Sequence, residues 1–287
     1  NNTWITNPIS ALTNSEAILP ILEIAPNQIQ SHIQSLKKQN QINSPMAIKV
    51  KKTTKTVLIT GAAKRVGRHL ALTFAKKGFN IICHYYLSEK DALELNKTIK
   101  VLGKKCTLWK EDFTKKTIHT HVLQKHKIDL LINCAATFFT DQEIKKDKKL
   151  KDAQWHVNFI SPKKLISDYI KFQNKGHIIN ILDKEIIKNQ YDNHNHYLST
   201  KKLLHCFGLQ MSANYRPLFR INSIAPGWVL GPIDQKKTYS QAKEKIKKRK
   251  LPRKGDLADL AQCAIFLEEN DFINGQTIYV DGGDHLN

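Results

Sequence analysis

"TVLITGAAKRVGRHLALTFAKKG" occupies residues 56–78, and its reading decides how the rest of the chain is read. "TVLIT" is a short β-branched run with the composition of a buried strand. From Arg65 onward the apolar residues fall at helical spacing, and Gly78 supplies a stop. A strand, a glycine-containing turn and a helix therefore follow one another. Gly61 permits the tight turn and Gly67 a close backbone approach. Such a turn presents free N–H groups and the positive end of the helix dipole to an anion such as a pyrophosphate. Arg65 stands where a glycine is more usual. Its guanidinium either reaches phosphates and a bound substrate or caps the helix at the surface.

Beyond this unit the same alternation continues. Strands are expected at "FNIICHYY", "KCTLWK", "IDLLIN", "GHIINIL", "FRINSIAP" and "GQTIYVDGG". Helices are expected over 89–102, through "TIHTHVLQKH", over 150–172 as one long element, through "HYLSTKKLLHCFGLQMS" and through "DLADLAQCAIFLEE". This pattern predicts an α/β fold of Rossmann type, a doubly wound parallel sheet with helices on both faces. Its ligand crevice lies beyond the carboxyl ends of the strands. Residues 1–52 differ: they are rich in Asn, Gln, Ser and Pro, with one helix candidate near Asn27–Lys38. The expected division is an N-terminal extension, 1–52, of unassigned role, and a Rossmann-fold domain, 53–287.

The second strand ends in "CHYYLSEK", where an NAD site usually places a carboxylate for the ribose 2′-hydroxyl. His84, Tyr85, Tyr86 and Ser88 stand there, with no acid before Glu89. A carboxylate would repel a 2′-phosphate, so its absence favours NADP. Asp112, after the third strand, either meets the adenine edge or serves a local turn.

Composition narrows the class of protein. A chain of 287 residues that is 41% hydrophobic can bury a sizeable core. The formal charge of +21 suits an anionic partner or reflects a lysine-rich style of composition, and scattering along the whole chain favours the latter. No specific nucleic-acid partner is expected. Five cysteines without a C-x-x-C pair argue for a reducing compartment. "AILPILEIAP" is too short to span a bilayer and carries Glu23 and two prolines. A cytoplasmic protein without membrane attachment is expected. His194 and His196 lie close together, but no third ligand is evident by spacing, so no metal is expected. The basic run Lys236–Gly255 reads as a solvated face or a substrate-covering segment.

"HYLSTKK" places Tyr197 and Lys201 four apart, on one face of a helix. An ammonium beside a phenol stabilises the phenolate and tunes it as a proton donor. Asp183 in "IINILDKE" sits where the fifth strand leaves the sheet. Taken in order, TG-x5-G, "NCAA" (Asn133–Ala136), "HVN" with Asn158, Y-x3-K, Pro226–Gly227 and "DGG" resemble the short-chain dehydrogenase/reductase family from Thr56 onward. "TGAAKRVGR", "CHYYLSE", "WHVNFISP", "INSIAP" and "DGGDHL" are similar to its pteridine reductase and bacterial dihydromonapterin/dihydrofolate reductase branch. Asp183 replaces the serine usual in the family, and that branch shares the replacement.

The resemblance implies NADPH-dependent reduction of a dihydropterin or dihydrofolate to the tetrahydro form. It makes Tyr197 the acid, with Asp183 sharing proton transfer, Lys201 binding the nicotinamide ribose, and Asn158 holding a relay water. Phe138 would stack on the pterin, or else pack in the core. Cofactor contacts are expected at Gly61, Arg65, Val66, Gly67, His84, Tyr85, Ser88, Asp112, Asn133, Ala135, Lys201, Pro226 and Gly227. Substrate contacts are expected at Arg65, Phe138, Asp183 and Tyr197. Leu87 stands where an arginine for the 2′-phosphate is usual, and a homotetramer is the usual assembly. The rivals are a 3-oxoacyl-type carbonyl reductase, which would carry Ser at 183, and a catalytically lapsed anion- or nucleic-acid-binding protein.

Overall fold

A computed structural model describes residues 54–187, 192–229 and 251–286. The N-terminal segment 1–52, its helix candidate near Asn27–Lys38 and most of the basic run at 236–255 lie outside the described residues.

Seven parallel strands form one sheet in the order β3-β2-β1-β4-β5-β6-β7. They are β1 (Thr56–Ile59), β2 (Asn80–Tyr85), β3 (Cys106–Lys110), β4 (Leu130–Asn133), β5 (Gly176–Ile181), β6 (Phe219–Pro226) and β7 (Thr277–Val280). The helices are α1 (Arg65–Lys76), α2 (Glu89–Val101), α3 (His121–Lys125), α4 (Asp141–Lys146), α5 (Lys148–Trp155), α6 (Ser161–Phe172), α7 (Asn195–Asn214) and α8 (Leu257–Glu269). The strand order reverses between β1 and β4, and this switch opens the crevice at the carboxyl edge.

Both faces of the sheet are covered, which is why the strands read as continuous apolar runs. Val57, Ile59, Ile81, Cys83 and Ile132 pack against Leu70 and Phe74 of α1, Leu95 of α2 and Leu260 of α8. Leu58, Ile82, Leu131 and Ile178 point the other way, onto Leu165 and Tyr169 of α6 and Leu204 of α7. The period-two alternation of each strand thus feeds two separate cores.

Two expected helices are drawn differently. The segment through "TIHTHVLQKH" is helical only over His121–Lys125. The long helix expected over 150–172 starts earlier, at Lys148, and its middle is a π-helical turn, His156–Ile160, between α5 and α6. Apolar spacing does not distinguish such a widened turn from α-helix, yet this one carries Asn158. Wide turns of this kind concentrate at functional sites.

Candidate active site

The turn after β1 is built around two side chains that tie neighbouring strands together. Thr60 accepts hydrogen bonds at Oγ1 from the backbone N–H of Cys134 (2.8 Å) and Ala135 (3.0 Å), joining the ends of β1 and β4. His84 accepts at Nδ1 from Gly61 N–H (3.1 Å) and reaches Glu111 O through Nε2 (3.1 Å). That pairing fixes the neutral tautomer with the proton on Nε2. The imidazole is buried and stacks on Phe113 with centroids 3.9 Å apart. Burial pushes its pKa down to about 4.

Gly61 takes φ +64°, and a side chain there would meet the Ala135 backbone at 3.0 Å. A Cβ on Gly67 would lie 2.2 Å from Gly61 O, so only glycine lets the helix start so close to the turn. α1 begins without a side-chain cap and without an acid in its first turn. Its first N–H groups and positive dipole end are therefore suited to an anion. Arg65 adopts φ +52°, the left-handed region that glycine favours. A non-glycine residue there costs roughly 1–2 kcal/mol. The arginine is exposed at the mouth of the crevice.

On the other side of the switch, β5 ends and Asp183 leaves the sheet. Its Oδ1 accepts from Glu185 N–H at 3.0 Å, capping the short turn Lys184–Ile186. Its Oδ2 accepts the hydroxyl of Tyr197 at 3.1 Å. Lys201, one helical turn beyond Tyr197, is buried and donates to Ile181 O at 2.9 Å. Its Nζ lies 5.9 Å from the centre of the Tyr197 ring. Burial pulls the Lys201 pKa down, while Asp183 and Cys134 oppose the shift. Acid, phenol and ammonium thus converge from β5 and α7.

Phe138 completes the centre. Its ring stacks on His194 (4.1 Å, 16°) and meets Tyr197 edge-on (4.6 Å, 84°). It is 53% exposed, so it forms a wall of the crevice and does not pack in the core. Three buried or half-buried groups hold that wall. Asn158 binds both backbone groups of Thr137 (2.8 and 2.9 Å) and also Thr200 Oγ1. Gln154 accepts from Phe139 N–H at 2.7 Å and contacts His196 Nδ1 at 3.2 Å. Asp141 accepts from the backbone N–H groups of Asn195 and His196, at the start of α7.

The matching family model, described as enoyl-(acyl carrier protein) reductase, covers residues 61–285. The chain is a short-chain dehydrogenase/reductase. It is 26% identical to glucose 1-dehydrogenase 2 of Bacillus subtilis, over 80% of this chain and 95% of that one. It is 27% identical to a 3-oxoacyl-[acyl-carrier-protein] reductase of Staphylococcus epidermidis, over 81% and 99%. Among solved structures it is similar to alternative dihydrofolate reductase 1 (FolM) of Brucella canis complexed with NADP, with 26% identity, TM-score 0.72 and coverage of 81% and 95%. The Brucella suis counterpart, also in complex with NADP, gives 25%, 0.74, 81% and 96%.

Within this short-chain dehydrogenase/reductase several residues expected at the cofactor have side chains engaged with other parts of the protein. His84 spends both ring nitrogens under the turn. Tyr85 packs in the core beside α1 and α2. Asn133 donates to Asn180 Oδ1 at 2.9 Å, within the sheet. The amide of Asn158 is taken up by Thr137 and Thr200, which makes it a brace for the Phe138 wall. Asp112 accepts from Thr114 N–H and Oγ1 and from Tyr86, the local-turn alternative. Val66, Ala135, Pro226 and Gly227 are half-buried around the crevice edge, and Ser88 starts α2 without a side-chain cap bond. Thr60, Asp141 and Gln154 were missed, because their partners are distant backbone groups that no local pattern announces.

His84 gives a pH prediction. Its folded pKa of about 4 lies below the ordinary value of 6.5, so between these pH values the unfolded chain binds more protons. This contribution to stability is complete above pH 6.5 and is lost as pH falls toward 4, by about 3 kcal/mol at the lower end. Urea unfolding at a series of pH values should show His84→Gln with a flatter acid dependence, by nearly one proton near pH 5. Identical slopes would mean that His84 is protonated in the folded protein.

Proposed function

We propose that the chain catalyses NADPH-dependent reduction of a dihydropterin or dihydrofolate to the tetrahydro form. The observation that carries this is the hydrogen bond from Tyr197 to Asp183 at the end of β5, beneath the exposed ring of Phe138. Serine at 183 would be sufficient for a carbonyl. A carboxylate adds an anionic acceptor, which suits the donor-rich amino-pyrimidine edge of a pterin.

The residues present fit the cofactor. The Gly61–Gly67 turn packs too tightly for a side chain at either glycine and brings bare backbone to an uncapped helix start. Gly61, Val66 and Gly67 would face the pyrophosphate, with Arg65 at the phosphates and the substrate. Lys201 would hold the nicotinamide ribose, and Ala135, Pro226 and Gly227 would border the nicotinamide. At the ribose end Leu87 is 82% exposed and brings no charge. Lys110, at the end of β3, lies beside Tyr85 in the sheet register and holds Glu89 at 2.8 Å. It keeps the nearest carboxylate neutralised and offers a cation to a 2′-phosphate beside Ser88. When bound, NADPH supplies the hydride.

The chain's own residues do the rest. Phe138 lies flat against the heterocycle and orients its C=N bond. Asp183 accepts from the amino-pyrimidine edge and fixes which nitrogen faces Tyr197. The phenol delivers the proton to that nitrogen, and the nearby Lys201 ammonium stabilises the phenolate left behind. Tyr197 recovers its proton from solvent, relayed by the Asp183 carboxylate, which returns to its ionised form. Asn158, Gln154 and Asp141 keep the wall and the acid in register.

Composition supports reading residues 1–52 as an extension outside the reductase domain 53–287, the scattered cysteines support a cytoplasmic location, and the family resemblance supports a homotetrameric assembly. Among the described residues no helix is long and apolar enough to cross a membrane. The relatives named 3-oxoacyl reductases favour a carbonyl substrate as the second reading.

Oxidation of NADPH with dihydropterins, dihydrofolate and acetoacetyl thioesters separates the two. Turnover is expected with the pterins, and turnover confined to thioesters would reject the proposal. Asp183→Ser should lower pterin kcat by about a hundredfold or more while the NADPH Kd stays within about twofold. Equal losses in both would make Asp183 a structural carboxylate. Lys110→Met should weaken NADPH about tenfold in equilibrium binding and leave NADH unchanged. Equal weakening of both would remove Lys110 from 2′-phosphate recognition.

A further inference from the structure

Asp183 belongs to a short turn, and the chain's last residues hold that turn. Lys184 extends from it into a buried cluster, with Nζ 2.6 Å from Glu185 Oε1 and 3.8 Å from Asp284 Oδ2. The three side chains are only 14%, 5% and 5% exposed. Asp284 comes from a short turn at the far end of the chain, Asp284–Leu286. The Lys184–Ile186 and Asp284–Leu286 turns pack on each other.

The route of the chain to this contact is tightly determined. Gly227 N–H binds Val280 O at 3.0 Å, so β7 is clamped to the end of β6. Gly282 and Gly283 then take φ +69° and +83° and turn the chain back over the sheet edge. Asp281 locks the reversal, accepting from Gly283 N–H (3.0 Å), His285 N–H (2.7 Å) and His285 Nδ1 (2.9 Å). His285 stacks on Tyr279 with centroids 4.3 Å apart. "DGGDHL" is therefore a hook that brings one carboxylate, Asp284, to Lys184.

We infer that this C-terminal hook is a positioning element of the active site: through Asp284 and Lys184 it locks the turn that aims Asp183 at Tyr197. Its catalytic consequence rests on the proposed function, because it presumes that Asp183 takes part in proton transfer. The physical basis is independent of that reading. An ammonium withdrawn from water between two carboxylates has few alternative positions, so it fixes both chain segments. The backbone N–H of Glu185, the residue beside Lys184, is also the donor that orients Asp183 Oδ1. Misplacement of a reacting group by about 1 Å can cost on the order of a hundredfold in rate.

The experiment compares the full-length wild type with Asp284→Asn, Asp284→Glu and Lys184→Met. Hydrogen–deuterium exchange reads the lock without any substrate. Exchange over Lys184–Ile186 should rise about tenfold or more in Asp284→Asn and Lys184→Met, and exchange over Arg65–Lys76 should not change. Unchanged exchange at Lys184–Ile186 in both variants would overturn the inference, whatever reaction the protein catalyses. With a dihydropterin, Asp284→Asn should lower kcat about tenfold while the NADPH Kd stays within about twofold, and Asp284→Glu should recover most of the loss. A kcat loss matched by NADPH binding and not recovered by glutamate would reduce the hook to general stability. Absence of pterin turnover in the wild type would reject the proposed function alone, with the exchange result still deciding the lock.

Discussion

The hydrogen bond between Tyr197 and Asp183 is the contact toward which the rest of the site is arranged. It joins the end of β5 to the first turn of α7, and each side is fixed separately. Asp141 fixes the start of α7 by accepting two of its backbone N–H groups. The turn after β5 fixes Asp183 through Glu185 N–H. Lys201, buried below, feels the same carboxylate: burial lowers its pKa, and Asp183 opposes that shift. One acidic side chain thus orients the phenol and favours the charged form of its neighbour.

The crevice concentrates locally unfavourable features that a well-packed sheet can sustain. Arg65 holds a left-handed backbone conformation at the helix start. His84 is buried neutral under the turn. Phe138 leaves half its ring in solvent. Each lies at the carboxyl edge of a sheet whose strands are buried on both faces, and strain of this kind persists where the surroundings over-determine it. The opposite edge has a polar network around one buried carboxylate: Glu268 binds Lys55 at 2.8 Å and His177 at 2.9 Å, with Arg220 close by. That network braces the amino ends of the sheet, well away from the switch point.

Much of this was legible in the sequence, for identifiable reasons. Seven strands and their parallel order follow from apolar runs alternating with helical spacing, because burial on both faces removes the polar positions that would blur the pattern. The family resemblance implies that Asp183, Tyr197 and Phe138 share one site, and in the structure the three side chains meet. Less legible was what each polar side chain near the crevice binds within the protein itself. His84, Asn133 and Asn158 all hold such partners. Their partners are backbone and side-chain groups far along the chain, up to 47 residues away for Asn133 and Asn180. Sequence spacing carries no signal for such contacts. The π-helical turn at Asn158 was invisible for a related reason: one widened turn barely shifts the apolar period.

The most direct test of the account is a crystal structure of the protein with NADP and a pterin bound. The pterin should lie flat against Phe138, with its amino-pyrimidine edge donating to Asp183 and a ring nitrogen within hydrogen-bond reach of the Tyr197 hydroxyl. A pterin bound with that edge turned to solvent, or an Asp183 carboxylate rotated away from both Tyr197 and the ring, would contradict it.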